Sequence, residues 1–499
     1  MDNHFRYALL LLKPDLLSRN LDESLSEELK KYSLTPIYSC EKLLTEKDIR
    51  AYQPALELAP KELGEAWKEK LISHQTSAPC KVLVVKGINA IPKTLELRNE
   101  FRKKFFLQQE VHDPDDLYVK NLLHTADDEN DLLINFEVLL PELIGLHNLL
   151  KSFIAKKKGG VLKAYDIVTQ GAPVFDTLFS VEDENNFYAH KIIKDSKGGI
   201  ISNNSFDSLL EIAHKNKYTR HYFLGGSSAG TADLVARLGG NIFFSGVCGQ
   251  DNASEDFCRS LDRSFIDYDT TVMKKGNEIA RGLVFVTRNG DRTLCFKPNS
   301  SIYYNSDLIN KPSLQKTQYF FACAHDLWND GNKNALEESV FITKSHGGKF
   351  IFSLGDTRVI AFHRESILRL VKKADIVLGN INEYLALYLV NNEKDLLDKI
   401  KEIQDKTFFI TLGKAGCIVL FKGSLYREPA KNLGKVIDTT GAGDAAAAGF
   451  IKLYIEGNNI TDCLKAATYC GGLKSTILGP RITREYDAQI FKFIKSNLG

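Results

Sequence analysis

The stretch Asp438-Thr439-Thr440-Gly441-Ala442-Gly443-Asp444-Ala445-Ala446-Ala447-Ala448-Gly449-Phe450 decides the reading of this chain. It is a glycine-punctuated loop that runs straight into a helix of small residues. The loop is expected to leave the N–H groups of Gly441, Ala442 and Gly443 unpaired at a helix N-terminus. That end carries about half a positive charge and attracts phosphate. Asp444 stands at the same spot. A carboxylate is oddly placed for holding a phosphate, because like charges repel. It is well placed to take a proton from a hydroxyl that attacks the phosphate. One motif then supplies an anion hole and a base, the minimum equipment of a phosphotransferase. The plain alternative is a glycine-rich turn before a packed alanine helix.

At 499 residues the chain is too long for one ordinary core, and two domains are expected. Hydrophobic content of 43% and charged content of 26% suit a soluble globular protein. A net charge of +2 points to neither a nucleic-acid-coating surface nor an acidic tail. The nine cysteines are scattered with no CxxC pair. That pattern predicts reduced thiols in a cytoplasmic protein rather than disulfides or a zinc site. Leu9 to Leu12 is too short and wrongly flanked for a signal peptide, and no window reaches the ~20 apolar residues of a membrane span.

Residues 1 to about 150 alternate strand-like and helix-like pieces. Tyr7–Leu12 and Cys80–Val85 read as strands; Leu21–Tyr32 and Asp131–Leu140 read as helices, the latter ending near Pro141. Lys156-Lys157-Lys158-Gly159-Gly160 reads as a charged, glycine-ended break. It places the boundary between a first domain at 1–155 and a second at 160–499. From Tyr165 onward short apolar runs recur, among them Tyr222–Leu224, Tyr319–Phe321, Phe350–Ser353, Ile376–Leu378 and Phe408–Thr411. Helical segments separate them, the pattern of a parallel sheet covered on both faces. The stretch around 270–300 alternates more and suits a small antiparallel lid.

The whole string around Asp444 resembles the signature of the PfkB, or ribokinase-like, family of sugar and nucleoside kinases. Gly225-Gly226-Ser227-Ser228-Ala229-Gly230, then Leu238-Gly239-Gly240 and Gly246-Val247-Cys248-Gly249-Gln250-Asp251, are similar to its other signature. Asn380-Ile381-Asn382-Glu383 is similar to its NxxE motif, and locally reads equally well as an Asn-capped helix. The resemblance covers residues 163 to 485 and is nearest the adenosine-kinase-like branch. It implies an α/β ribokinase-like fold, doubly wound around a mainly parallel sheet, with a small β lid. It implies ATP and Mg²⁺ as cofactors, with room for a monovalent cation. Asp444 is then the catalytic base, and the amides of Gly441, Ala442 and Gly443 stabilise the transferring phosphoryl group. Gly225 and Gly226 face the acceptor, Asp176 clamps two of its hydroxyls, and Gly230 stands where the family has an acceptor-contacting Asn. Asn380, Thr411, Gly413 and the lid's Arg292 lie by the nucleotide, and Glu383 holds Mg²⁺ through water. Asp176 also reads simply as a turn residue, and Asn289-Gly290 as a type I′ hairpin turn.

The first half resembles nucleoside diphosphate kinase over residues 5–150, through Leu10-Leu11-Leu12-Lys13-Pro14-Asp15, Lys86-Gly87-Ile88-Asn89-Ala90 and Asn121-Leu122-Leu123-His124. This implies a ferredoxin-like α+β domain with His124 as phosphate carrier and Lys13, Tyr52, Arg98 and Asn121 as nucleotide contacts. Four departures stand against catalysis: Thr125, Ala126, the lack of an arginine from Gln108 to Val119, and Asn135 where a carboxylate is expected eleven residues past the histidine. The readings left open are an alcohol kinase acting on a nucleoside or sugar, a degenerate nucleotide-binding regulator, and a second phosphotransfer through His124. The expected partners are a small-molecule substrate and another copy of the chain, with neither nucleic acid nor membrane.

Overall fold

Tyr7-Ala8-Leu9-Leu10-Leu11-Leu12 is buried at every residue, because this strand (β1, Tyr7–Leu12) is covered on both sides and both edges. It pairs antiparallel with β3 (Cys80–Lys86) and β4 (Leu123–Thr125), and β2 (Thr35–Lys42) lies outside β3. The order β2-β3-β1-β4, with helices Asp22–Lys31 and Ala90–Phe105 in the crossovers, is that of a ferredoxin-like domain. A computed structural model describes residues 5–52, 64–105, 122–159, 165–190, 200–201, 203–288, 292–327 and 329–497. The chain divides into two units, Met1–Leu162 and Lys163–Gly499. The lysine run is not a break. Helix Ile144–Gly159 continues through Lys156–Lys158, since lysine is a good helix former, and has glycine as its last residue.

The second unit carries two sheets. Its strands are β5 (Tyr165–Gln170), β6 (Val174–Val181), β7 (Ile200–Ile201), β8 (Thr219–Gly225), β9 (Ile242–Ser245), β10 (Asp267–Tyr268), β11 (Ala280–Thr287) and β12 (Arg292–Lys297). They continue with β13 (Thr317–Cys323), β14 (Lys349–Ser353), β15 (Ile376–Asn380), β16 (Thr407–Thr411), β17 (Cys417–Phe421) and β18 (Ser424–Glu428). Nine form one sheet in the order β10-β9-β5-β13-β14-β15-β16-β17-β18. It is parallel from β10 to β16 and antiparallel beyond. The apolar runs Phe320–Phe321, Phe350–Phe352 and Phe408–Ile410 are its buried centre. Parallel strands end on one side, so the residues just after β13, β14, β15 and β16 share one crevice.

The lid has five strands in the order β7-β12-β11-β6-β8. Tyr222–Leu224, expected among the strands of the large sheet, belongs to the lid instead. β8 is its edge strand, with one face turned to solvent and Tyr222 54% exposed. The lid is mixed rather than antiparallel, because β6 and β11 run parallel while the chain between them returns to the large sheet. Helix Ser227–Arg237 follows β8 and is anchored at its far end by Arg237. That guanidinium bonds Asp487, Asp233 (3.1 Å) and the Ile482 carbonyl (2.6 Å), with every partner buried. Breaking one member would leave a buried unpaired charge, so the helix is held rigidly. The nine cysteines are free thiols. Among the described residues no helix is long and apolar enough to cross a membrane.

Candidate active site

Helix Ala442–Ile455 begins at Gly441, which takes the left-handed conformation at φ +73°. A Cβ there would lie 1.9 Å from the Pro480 carbonyl oxygen, so the turn admits glycine alone. Asp438 holds the loop: one carboxylate oxygen accepts from the Thr440 amide (2.8 Å) and hydroxyl (2.7 Å), the other from the Gly479 amide (2.9 Å). The Ala442 amide, expected to be free, donates to the Thr439 carbonyl at 3.2 Å and closes the turn. Gly441 and Gly443 remain as first-turn amides with no intrahelical acceptor ahead of them. Gly443 is exposed, and a Cβ on it would meet nothing within 4 Å. Asp444 is half-buried and accepts from the Ser227 hydroxyl through Oδ1. Burial raises its carboxyl above the ordinary range, and the Ser227 bond with the His325 and Arg481 charges works against that rise.

Ser227 follows the diglycine turn, so one turn lies between two carboxylates. On its other side Asp176, on β6, is wedged between Gly225 of β8 and Gly282 of β11. A Cβ at Gly225 would lie 1.9 Å from Asp176 Oδ2, and one at Gly282 would lie 1.9 Å from Oδ1. Bare backbone on both flanking strands makes the space for this carboxylate. Burial pushes Asp176 up to about 6, with Arg481 opposing. Arg481 donates to the Gly225 carbonyl at 3.1 Å, while its buried Nε has no partner among the described residues. Gly226 sits at φ +92° with no room for a side chain over the Ala172 carbonyl (2.5 Å). Gly230 faces Asp444: its Cβ position is 3.8 Å from Asp444 Oδ2.

The opposite wall follows β14 to β16. Asn380 and Glu383 form a capping box. The Asn380 amide donates to Glu383 Oε2 (3.0 Å), its side-chain amide reaches Oε1, and the Glu383 amide donates back to Asn380 Oδ1 (3.0 Å). The helix-cap reading of this motif is therefore realised in full. Burial pushes Glu383 up to about 8; the Asn380 bond and the His325 charge oppose this, and Asp356 and Asp444 reinforce it. Thr411 ends β16, and Gly413 (φ +59°) opens the exposed turn before β17. Arg292 is the first residue of β12, and its hairpin turn, 289–291, lies outside the described residues.

In the first unit, Lys13 follows β1 as the N-cap of helix Pro14–Ser18, Tyr52 ends helix Glu46–Tyr52 and His124 lies in β4. The Tyr52 and His124 rings are 5.3 Å apart. Arg98 meets Asp127 at 3.3 Å, and Arg102 donates to the Leu123 carbonyl at 2.6 Å. His124 Nε2 lies 3.1 Å from Asn135 Oδ1, so the eleven-residue spacing does bring the partner expected of it, as an amide. The Asn135 amide nitrogen is spent on Asp131, which turns its oxygen to the imidazole. The ring must then carry its proton on Nε2 and keep the Nδ1 lone pair. Burial, with Lys13 and Arg98 nearby, lowers His124 to about 3. Burial and Arg102 lower Lys13 to about 7. Asn121 lies outside the described residues.

Comparison with known proteins bears on the second unit. The model of the pfkB family carbohydrate kinases matches residues 204–485, more than half of the chain. The chain belongs to the PfkB family. It is similar to the aminoimidazole riboside kinase of Salmonella typhimurium, 25% identical over 291 residues, which are 55% of this chain and 88% of that protein. The nucleoside kinase of Methanocaldococcus jannaschii is 23% identical over 246 residues, 49% of this chain and 76% of that protein. Among solved structures, the adenosine kinase from Sinorhizobium meliloti superposes with a TM-score of 0.59 at 26% identity, covering 65% of this chain and 98% of that one. PfkB proteins are phosphotransferases that act on hydroxyl groups, and the ribokinase-like α/β fold of the second unit is theirs. The match does not reach residues 1–203.

Sequence reasoning missed Ser227, Gly282, His325, Asp326 and Arg481. His325 and Asp326 were open to it, because they follow β13 at the same carboxyl edge as the segments after β14 and β16. Gly282 lies inside an apolar strand with no local signal. Ser227 and Arg481 meet their partners 217 and 256 residues away, which only the topology reveals.

Proposed function

We propose that this chain transfers the γ-phosphate of ATP to a hydroxymethyl group of a nucleoside or sugar, with Asp444 as the base. The observation that carries this is one turn, Gly225–Ser227, flanked by Asp176 on one side and Asp444 on the other. Asp176 accepts two hydroxyls of the acceptor and holds the third against Asp444. As that oxygen attacks phosphorus, its proton passes to Asp444, and the Gly441 and Gly443 amides receive the spreading negative charge. Ser227 keeps the carboxylate oriented.

Among the described residues no three or more His, Cys, Asp or Glu side chains close on one metal position. The donors that do occur, Asp356, Glu383 and Asp444, are all oxygen, and their mutual repulsion helps to raise Glu383. This fits Mg²⁺, which keeps most of its waters and is bound mainly by substrate phosphates. Bound there, it would neutralise triphosphate charge, with Glu383 behind its waters. A solved structure described as a putative ribokinase II in complex with ATP and Mg²⁺ shares the fold at 18% identity and a TM-score of 0.54.

Asp444→Asn tests the assignment. The substitution keeps the shape and the acceptor oxygen facing Ser227, so ATP should still bind. Turnover should fall by at least about 10²-fold, the contribution of a positioned base. Near-normal turnover would refute the role. A panel of nucleosides and sugars that yields no product from the unaltered chain, with ATP still bound, would favour the regulatory reading.

A second reading concerns the first unit, where an imidazole with a free Nδ1 lies among Lys13, Arg98 and Arg102. This supports nucleotide binding and phosphate transfer through His124. Asn135 weakens it, because an amide stabilises a charged imidazole less than a carboxylate does.

A further inference from the structure

The crevice contains a charged ring that the chemistry above leaves unused. His325 lies in the short turn Ala324–Asp326 that follows β13. Its Nδ1 is 3.2 Å from Cys323 Sγ, and Cys323 is fully buried. Gly355, at φ +81°, passes over the same edge. A Cβ there would lie 3.2 Å from Nδ1, and 3.3 Å from Cε1 and from the sulfur. The Nδ1 edge thus faces inward, yet His325 is only half-buried. The opposite edge of the ring carries Nε2.

Two short chains of contacts place His325 within the crevice. On one side Asp326 accepts from the Ala172 amide (2.9 Å) and the Ser228 hydroxyl (3.3 Å), and the adjacent Ser227 holds Asp444. On the other, Leu354 joins β15 through the Leu378 carbonyl (2.8 Å), and Glu383 packs on Gly379 next along that strand. His325 therefore stands between the base and the carboxylate of the metal side. The groups that act on it are Cys323 on β13, Asp326 in its own turn, Asp356 after β14, Glu383 after β15 and Asp444 on the helix at Ala442. Burial alone would lower the imidazole. The Cys323 sulfur, then Asp326 and Asp356, outweigh it and push the ring up to about 10, so it is charged at neutral pH.

We propose that His325 is a phosphate-contacting residue, donating Nε2–H to the triphosphate between Asp444 and Glu383 while Cys323 fixes the ring. It rests on the kinase reading of this crevice. A charge-assisted bond to phosphate is stronger than a neutral one, so its loss should weaken triphosphate binding about 10–100-fold.

The test uses the full chain carrying His325→Gln, which keeps a neutral donor and removes the charge. The dissociation constant of Mg–AMP-PNP should rise about 10–100-fold, while that of AMP, which lacks the outer phosphates, stays within twofold. A purely structural role would shift both ligands together, and that result overturns the proposal. So does an unchanged AMP-PNP affinity in a variant that melts like the parent. If His325→Gln fails to fold, Cys323→Ser carries the test: a several-fold loss for AMP-PNP alone is expected, and no loss overturns it. Because these are binding measurements, they decide on His325 even if the parent chain phosphorylates no acceptor, a result that would sink the kinase reading instead.

Discussion

A single methyl group placed at residue 282 should separate acceptor binding from everything else. Gly282 of β11 lies opposite Asp176 of β6 in the parallel register. A Cβ there would sit 1.9 Å from Asp176 Oδ1, whereas ordinary contact begins at 3.4 Å. The carboxylate would have to retreat by about 1.5 Å, toward the bare backbone of Gly225 on the other side. A hydroxyl at hydrogen-bonding distance cannot follow such a shift. Two bonds to a charged acceptor, each about 1.5–3 kcal/mol, would be lost together. That is about 3–6 kcal/mol, or about 10²–10⁴-fold in kcat/KM for the acceptor. The nucleotide side is untouched, so the KM for ATP should hold. Crowding of a packed strand costs about 1–3 kcal/mol, and a modest drop in Tm should accompany the change. Steady-state kinetics with the acceptor varied at saturating ATP reads the effect. A Gly282→Ala protein within threefold of the parent in acceptor kcat/KM would refute the clamp.

The pH profile follows from the same carboxylate. Asp176 is pushed up to about 6 by burial against the opposing Arg481 charge, and only its ionised form accepts both hydroxyls. Acceptor KM should be flat above about pH 6 and rise about tenfold per unit below it; a KM flat down to pH 5 would contradict the role. An acid raised in the folded state holds more protons there than in the unfolded chain, so stability should fall as pH climbs from the ordinary 3.8 to about 6. Asp176→Asn should flatten that slope in a Tm series, though Asp326, also pushed up to about 6, keeps part of it. In the first unit, γ-labelled ATP should leave an acid-labile label that His124→Ala abolishes; no label in the parent protein would eliminate phosphate transfer there.

Much of the fold was legible because it rests on short-range signals. The apolar runs of β13 to β16 announce a sheet buried on both faces, and Gly441 announces the helix start that carries Asp444. Other features were not local. Tyr222–Leu224 is as aromatic as a core strand, but its place at the lid's edge, with Tyr222 exposed and Phe223 and Leu224 half-buried, appears only once β6 is beside it. Asp176 reads as a turn residue after Gly171-Ala172-Pro173, yet the chain resumes a strand at Val174 and carries Asp176 within it. Ala442 was misjudged for a different reason: a bond back to Thr439 is a matter of turn geometry, which composition does not encode. The Asn380-Glu383 motif caps a helix with the same carboxylate that the proposed metal role would use, so sequence alone could not separate the two readings.

The central claim is that Asp444 accepts the proton of the attacking hydroxyl. A crystal structure of the chain with Mg–AMP-PNP and its acceptor tests it most directly. The account predicts the acceptor oxygen within about 3.2 Å of an Asp444 carboxylate oxygen, in line with the γ-phosphorus, with a neighbouring diol on Asp176. An acceptor oxygen placed against another group, with Asp444 bonded to Ser227 alone, would contradict it.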